Sequence, residues 1–216
     1  MSSFTNSPDE GARSSAADRQ SSGSGTHASL IARVRECDSQ AWGELVDLYG
    51  PLIAHWCYRC DLDSHATADC VQEVFAAVNR SLRTFESHSQ SGAFRSWLWT
   101  IARNKVRDHL RRHRQHDAPR GGSSALERLR QVPSAESVPD DEPSTDSEIQ
   151  SLVARGLEQV RCEFEPRTWE IFTRAVIDCM PTAVVMSEFG IQSAAVRQIR
   201  SRVLRRLRQQ LGDIEQ

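Results

Sequence analysis

From Ala28 to Leu211 apolar residues recur at spacings of three and four, and no stretch alternates apolar with polar residues as a half-buried strand does. That periodicity restricts the chain to an all-α fold. Leu30, Ile31 and Val34 open it, and Trp42, Leu45, Val46, Leu48 and Tyr49 continue it. Asp38 or Ser39 is placed to cap the second helix, and Pro51 is expected to interrupt or kink the chain beyond it. Val71, Val74, Phe75, Val78 and Leu82 form one apolar face, with Asp69, Gln72, Glu73, Asn79 and Arg83 mainly off it. Glu86–Ala93 reads as a polar loop, after which the helical pattern resumes.

The pattern fails twice. Residues 1–27 have no apolar core and read as a disordered tail. Residues 116–148 are rich in Pro, Gly, Ser and acid, and read as a flexible acidic linker whose ordering entropy exceeds what its few apolar groups can offset. The chain is therefore expected to form two small helical domains, residues 28–115 and 149–212. Ile149, Leu152, Val153, Leu157, Val160 and Phe164 start the second, and Pro166 and Pro181 restart the chain within it.

Composition enters through charge. The net charge of −2 hides segregation: residues 94–114 and 197–208 are basic, and residues 132–148 are acidic. On a helical wheel Phe94, Leu98, Ile101, Ala102, Val106 and His109 cluster on one side. Arg103, Arg107, Arg111 and Arg114 form a ladder on another. Like charges at that spacing repel, and an anionic polymer relieves the repulsion while releasing counterions. Trp97 and Trp99 leave the apolar arc on opposite sides, where an aromatic face can stack on an unpaired base. The plainer reading, a solvated cationic face with two tryptophans at the core edge, stays open on this pattern alone.

Residues 182–211 look like a helix-turn-helix: Thr182–Phe189, a left-handed Gly190, Ile191 as the plug of the turn, and a second helix starting at Gln192 or Ser193. Val196, Ile199, Val203, Leu207 and Leu211 give the second helix its inward stripe. Six arginines lie between Arg197 and Arg208, and Arg197, Gln198, Arg200, Ser201 and Arg202 fall mostly off the stripe. Arginine pairs in bidentate fashion with guanine and glutamine with adenine. An ordinary hairpin with a basic face is the alternative.

Taken together, DCVQEVF at 69–75, FRSWLWTIARNKVRDHLRR at 94–112 and SRVLRRLRQQL at 201–211 resemble the sigma-70 family of bacterial RNA polymerase sigma factors, in its extracytoplasmic-function group. The resemblance implies a region 2 helical bundle over 28–115 and a region 4 helix-turn-helix over 149–212. It implies that Asp69, Gln72 and Glu73 dock on the polymerase clamp. Ser87, His88, Ser89 and Gln90 then fall in the loop that captures a flipped base. Trp97, Trp99, Arg103, Asn104, Arg107 and Arg111 match the helix that recognises and melts the −10 element. Gln192, Ser193, Arg197, Gln198, Arg200, Ser201 and Arg202 match the −35 reader, with Gln192 standing where the family often has Ser or Thr. The acidic linker resembles the segment threaded through the polymerase cleft. The implied partners are core RNA polymerase, through its clamp and flap regions, promoter DNA, and in some cases an anti-sigma protein.

A regulator acting without polymerase and a decoy that merely occupies the clamp are the competing readings. No phosphate-binding Gly loop, nucleophile elbow or carboxylate cluster on ordered sequence is present, so the chain is expected not to be an enzyme and to need no cofactor. His55, Cys57, Cys60 and His65 make a weak metal motif, because a zinc site wants four converging ligands. The six cysteines are expected to be reduced thiols, Cys57 and Cys60 included. No apolar run reaches the ~18 residues of a membrane span, and a cytoplasmic location is expected.

Overall fold

The computed structural model describes residues 29–86, 92–116 and 134–212, without the side chains of Gln115 and His116. The expected tail, the loop residues Ser87, His88, Ser89 and Gln90, and most of the expected linker lie outside the described residues. Among the described residues every regular element is helical, as the periodicity requires.

Helix α1 spans Leu30–Arg35 and is capped by the Ser29 hydroxyl. Helix α2, Ser39–Arg59, is capped by the Asp38 carboxylate, which accepts from the backbone N–H groups of Gln40 and Ala41. Helix α3 is Ser64–Ser81, capped by Asp63, and helix α4 is Ala93–His116. Helices α2, α3 and α4 pack on one another. Their core contains Leu45, Leu48, Ile53, Trp56, Val74, Val78, Phe94, Leu98 and Val106.

Pro51 does not break α2, which runs through it for 21 residues. Proline removes one N–H and crowds the preceding turn. Here Leu48, Tyr49, Leu52 and Ile53 on either side are buried, and that packing outweighs the local cost. The Leu48 carbonyl in the affected turn also accepts from Arg155 Nε at 3.1 Å.

Helix α5 covers Asp146–Arg161, starting three residues before the Ile149 expected from periodicity. The Glu148 carboxylate reaches back to the Thr145 N–H at 2.7 Å, closing a capping box. Helix α6, Pro166–Phe172, has Pro at its first turn. A π-helical turn over Thr173–Ile177 comes next. Helix α7, Thr182–Phe189, ends at Gly190 with φ 63°, and helix α8 spans Ser193–Gln210.

The two helical halves touch. Helices α5 and α8 lie against α2 and α1, and Leu152 and Leu211 join the core of α1–α4. Tyr49 donates to the Leu211 carbonyl at 2.7 Å, and Gln159 Nε2 to the Glu44 carbonyl at 2.9 Å. A second, smaller core holds Ile171, Val185 and Val196, with Phe189, Ile191 and Ile199 packed on it.

The flexibility expected over 116–148 is not confirmed for its described part. A single 3₁₀ turn, Ala135–Ser137, leads into an extended strap that lies along α4. Ala135 and Val138 are buried, which supplies apolar contact that composition alone did not promise.

Candidate nucleic-acid interface

Helix α4 is amphipathic, and its arginines emerge in sequence along one side. Their partners, however, are already chosen. Arg103 Nη1 donates to the Asp140 carboxylate at 2.9 Å and to the Asp140 carbonyl at 3.0 Å. One turn on, Arg107 Nη2 donates to the same carboxylate oxygen and to the Val138 carbonyl, both at 3.1 Å. Arg95 Nε meets Glu142 at 2.6 Å, and Arg114 Nη1 meets the Ser134 hydroxyl at 3.2 Å. The strap thus lies over the cationic ladder. Arg111 is exposed and paired with Asp108 on its own helix at 3.2 Å, and its charge also reaches Glu136 at the start of the strap. Asn104 is exposed.

The tryptophans sit deeper than a helical wheel suggests. Trp99 is 2% exposed. Its ring stacks edge-on with Trp56 at 5.4 Å, and its Nε1–H donates to the Asp140 carbonyl at 3.1 Å. A neighbour from α2 therefore covers a residue that the pattern of α4 alone leaves at the core edge. Trp97 is half-buried beside Phe85 and Phe94, with centroid separations of 4.9 and 5.5 Å.

On α3, Asp69 and Gln72 are exposed and Glu73 is half-buried. Glu73 faces α4, where Arg112 Nη2 meets it at 3.0 Å and Lys105 Nζ at 3.4 Å. The Arg112 hydrogen bond, opposed by partial burial and reinforced by the charges of Arg112 and Lys105, holds the Glu73 carboxyl below its ordinary range. Glu73 stays ionised, but part of its hydrogen-bonding capacity is used within the molecule.

The second candidate surface lies on α8. Gln192 is its N-cap and makes no side-chain capping bond, whereas Ser or Thr there would accept from the helix N–H groups. Arg197, Gln198, Arg200, Ser201 and Arg202 are exposed, and Ser193 is half-exposed. Val196, Val203 and Leu207 face inward. Arg202 lies over the Phe164 ring at 5.6 Å, which steadies its guanidinium. Arg206 is not part of the exposed group. It is buried and fixed to Glu163 by two 2.7 Å hydrogen bonds.

The sequence motif around Cys57 resolves into core packing. Cys57, Cys60 and Cys70 are buried free thiols. A hydrogen bond shared with Cys70, together with burial, pushes the Cys57 thiol far up, and burial pushes Cys60 up to about 11. His55 turns to Glu148 on α5.

Sequence reasoning overlooked Arg95, Lys105 and Arg112 as members of the charged network, and Asp140 and Glu142 as partners of the ladder. The signal was present in the charge segregation, since the only strongly acidic stretch carries the complement of the basic ones.

Residues 45–116 match Sigma-70 region 2. The chain is 28% identical over 114 residues to the ECF RNA polymerase sigma factor SigW of Bacillus subtilis (strain 168), covering 51% of this chain and 59% of that protein. It is 36% identical over 86 residues to the RNA polymerase sigma factor NccH of Alcaligenes xylosoxydans xylosoxydans, covering 40% and 44%. To the ECF RNA polymerase sigma factor BldN of Streptomyces coelicolor (strain ATCC BAA-471 / A3(2) / M145) it is 27% identical over 186 residues, covering 85% and 65%. The chain thus spans less than two thirds of each of these relatives. A solved structure of CnrH in complex with the cytosolic domain of CnrY covers 82% of this chain and 92% of its own, with a TM-score of 0.34 and 21% identity, a likeness too distant to bear on function. Residues 45–116 are thus similar to Sigma-70 region 2, and the relatives that the chain resembles are RNA polymerase sigma factors, two of them extracytoplasmic-function members.

Proposed function

We propose that this protein is a sigma factor: it binds core RNA polymerase and directs initiation at promoters bearing −10 and −35 elements. The observation that carries the reading is the pairing, in one chain, of a sigma-70 region 2 with a separate helix-turn-helix whose second helix keeps Arg197, Gln198, Arg200 and Arg202 in solvent. Under this reading Asp69, Gln72 and Glu73 contact the polymerase clamp, and the second half meets the flap region. Arg103, Asn104, Arg107 and Arg111 on α4, with the half-buried Trp97, serve the −10 element, Trp99 supporting them from within the core, and Ser87, His88, Ser89 and Gln90 supply the base-capture loop. Helix α8 reads the −35 element in the major groove. The domain division at 28–115 and 149–212 belongs to the same proposal.

The physical logic is additive. Opening a duplex costs pairing and stacking, and trapping an unstacked base lowers that cost. Two weak readers on one chain gain effective concentration once a large partner fixes their separation. Run-off transcription is the test. Core polymerase plus this protein is expected to yield RNA starting at a defined position on genomic templates, and R197A and D69A/Q72A are each expected to reduce it at least tenfold. Binding to DNA with the same affinity whether or not core enzyme is present, without a defined start, would instead make the protein a regulator that acts alone.

A further inference from the structure

We propose that residues 138–144 act as an intramolecular stand-in for a nucleic-acid backbone, occupying the α4 ladder in the free protein and leaving it when a phosphodiester strand competes. The proposal rests on the reading of α4 as a DNA-binding face.

The strap reproduces the chemistry of a bound strand. A single Asp140 oxygen sits between Arg103 at 2.9 Å and Arg107 at 3.1 Å, one helical turn apart. A phosphate oxygen bridging two guanidiniums on one helix face takes the same position. Carbonyls of Val138 and Asp140 add further acceptors along the same path. Glu142 continues the anionic row to Arg95 at 2.6 Å. Trp99 Nε1–H and Trp56 Nε1–H are taken up by the Asp140 carbonyl and the Ser144 hydroxyl, at 3.1 and 2.9 Å.

The strap is nevertheless an incomplete ligand. Arg103 Nε and Arg107 Nε are buried without a hydrogen-bond partner among the described residues. The Asp140 side chain is 81% exposed, so its ion pairs are screened and individually weak. Among the described residues of the strap and the turn before it, the buried apolar side chains are Ala135 and Val138. A phosphodiester strand carries a charge at every nucleotide, so it can give Arg103 and Arg107 a phosphate each where the strap gives them one shared carboxylate, and it releases counterions on binding. It can therefore satisfy donors that the strap leaves idle. The arrangement gives the free protein low affinity for stray nucleic acid without weakening the ladder itself.

The test measures binding of the full chain to a fluorescein-labelled, mixed-sequence single-stranded DNA of 20 nucleotides, by anisotropy at low salt. D140N/E142Q keeps side-chain size and removes two charges. It is expected to bind roughly three- to tenfold tighter than wild type, the range that a few partly exposed ion pairs supply. E36Q/D47N, which neutralises two exposed acids away from the ladder, is expected to bind within about twofold of wild type. Adding R103A/R107A to D140N/E142Q is expected to abolish the gain. Hydrogen exchange on wild type, with and without the DNA, is expected to show residues 134–145 losing protection when the strand binds.

Equal tightening by E36Q/D47N would reduce the effect to net charge and overturn the proposal. No tightening in D140N/E142Q, with R103A/R107A still weakening the wild type, would overturn the strap's role alone. Indifference of every variant to R103A/R107A would overturn the DNA-binding reading of α4 with it.

Discussion

Arg206 on α8 grips the Glu163 carboxylate with both arms of its guanidinium, Nε and Nη2 each 2.7 Å from an oxygen. The arginine side chain is 6% exposed and the glutamate 21%, so the pair ties α8 to the end of α5 largely out of water. Truncating one member leaves the other charge without its partner. R206M is expected to lower stability by about 2–4 kcal/mol, less than for a fully dry pair because Glu163 keeps some solvent. R206M/E163L is expected to recover part of the loss. Urea denaturation at neutral pH measures both, and an R206M midpoint equal to wild type would show the pair to be inert.

Gly190 turns the chain between α7 and α8 at φ 63° and ψ 38°, and a Cβ there would meet nothing within 4 Å. The constraint is backbone conformation, not space. G190A is expected to cost about 1–2 kcal/mol, the penalty of a left-handed L-residue, while G190N is expected to lose less. Thermal unfolding of the two variants distinguishes them; a larger loss for Asn than for Ala would point to crowding instead.

Thiol reactivity should divide the cysteines cleanly. Cys37, Cys162 and Cys179 are exposed, whereas Cys57, Cys60 and Cys70 are buried. A chromogenic disulfide reagent at pH 8 is expected to modify three thiols quickly and the other three only on the timescale of unfolding. Rapid modification of Cys57 or Cys60, located by peptide mapping, would contradict the packing of α2 against α3.

Acid should loosen the junction between the halves. Burial pushes the Glu44 carboxyl up, but hydrogen bonds from Arg33 at 2.8 Å and Gln210 at 3.1 Å, with the Arg33 charge, carry it below its ordinary value of 4.5. A carboxyl whose pKa falls on folding contributes stability that is complete above about pH 4.5 and is lost as the pH drops through the lower folded value. Asp38, also held low, chiefly by the Ala41 N–H and then by Arg33, acts in the same direction. Unfolding midpoints are expected to fall between pH 5 and pH 3 by less in E44Q than in wild type. Parallel pH profiles would remove Glu44 from the account.

What could be read from the sequence was what a helix decides locally. Gly190 had to end a helix because of its backbone freedom. Pro166 and Pro181 had to restart one, and the inward stripe of α8 through Val196, Val203 and Leu207 came from period alone. The start of α5 was also present, as Thr145-Asp-Ser-Glu148, a capping-box spelling that apolar periodicity passes over. Other features required the third dimension. Pro51 lost to the packing around it, and Trp99 was covered by Trp56 from another helix. The strap carries little apolar area of its own and finds order because Arg103 and Arg107 face it from more than 30 residues away. The base-capture loop lies outside the described residues.

The hydrogen bond from Tyr49 to the Leu211 carbonyl joins positions 162 apart in the chain. Helices α1–α4 pack largely on their neighbours in sequence, contacts that close short loops. The join at Tyr49 closes a far longer circuit, at a higher cost in loop-closure entropy. Native-state hydrogen exchange is expected to report this seam opening at a lower free energy than either half. The polypeptide carries a long-range clasp across a body of short-range contacts.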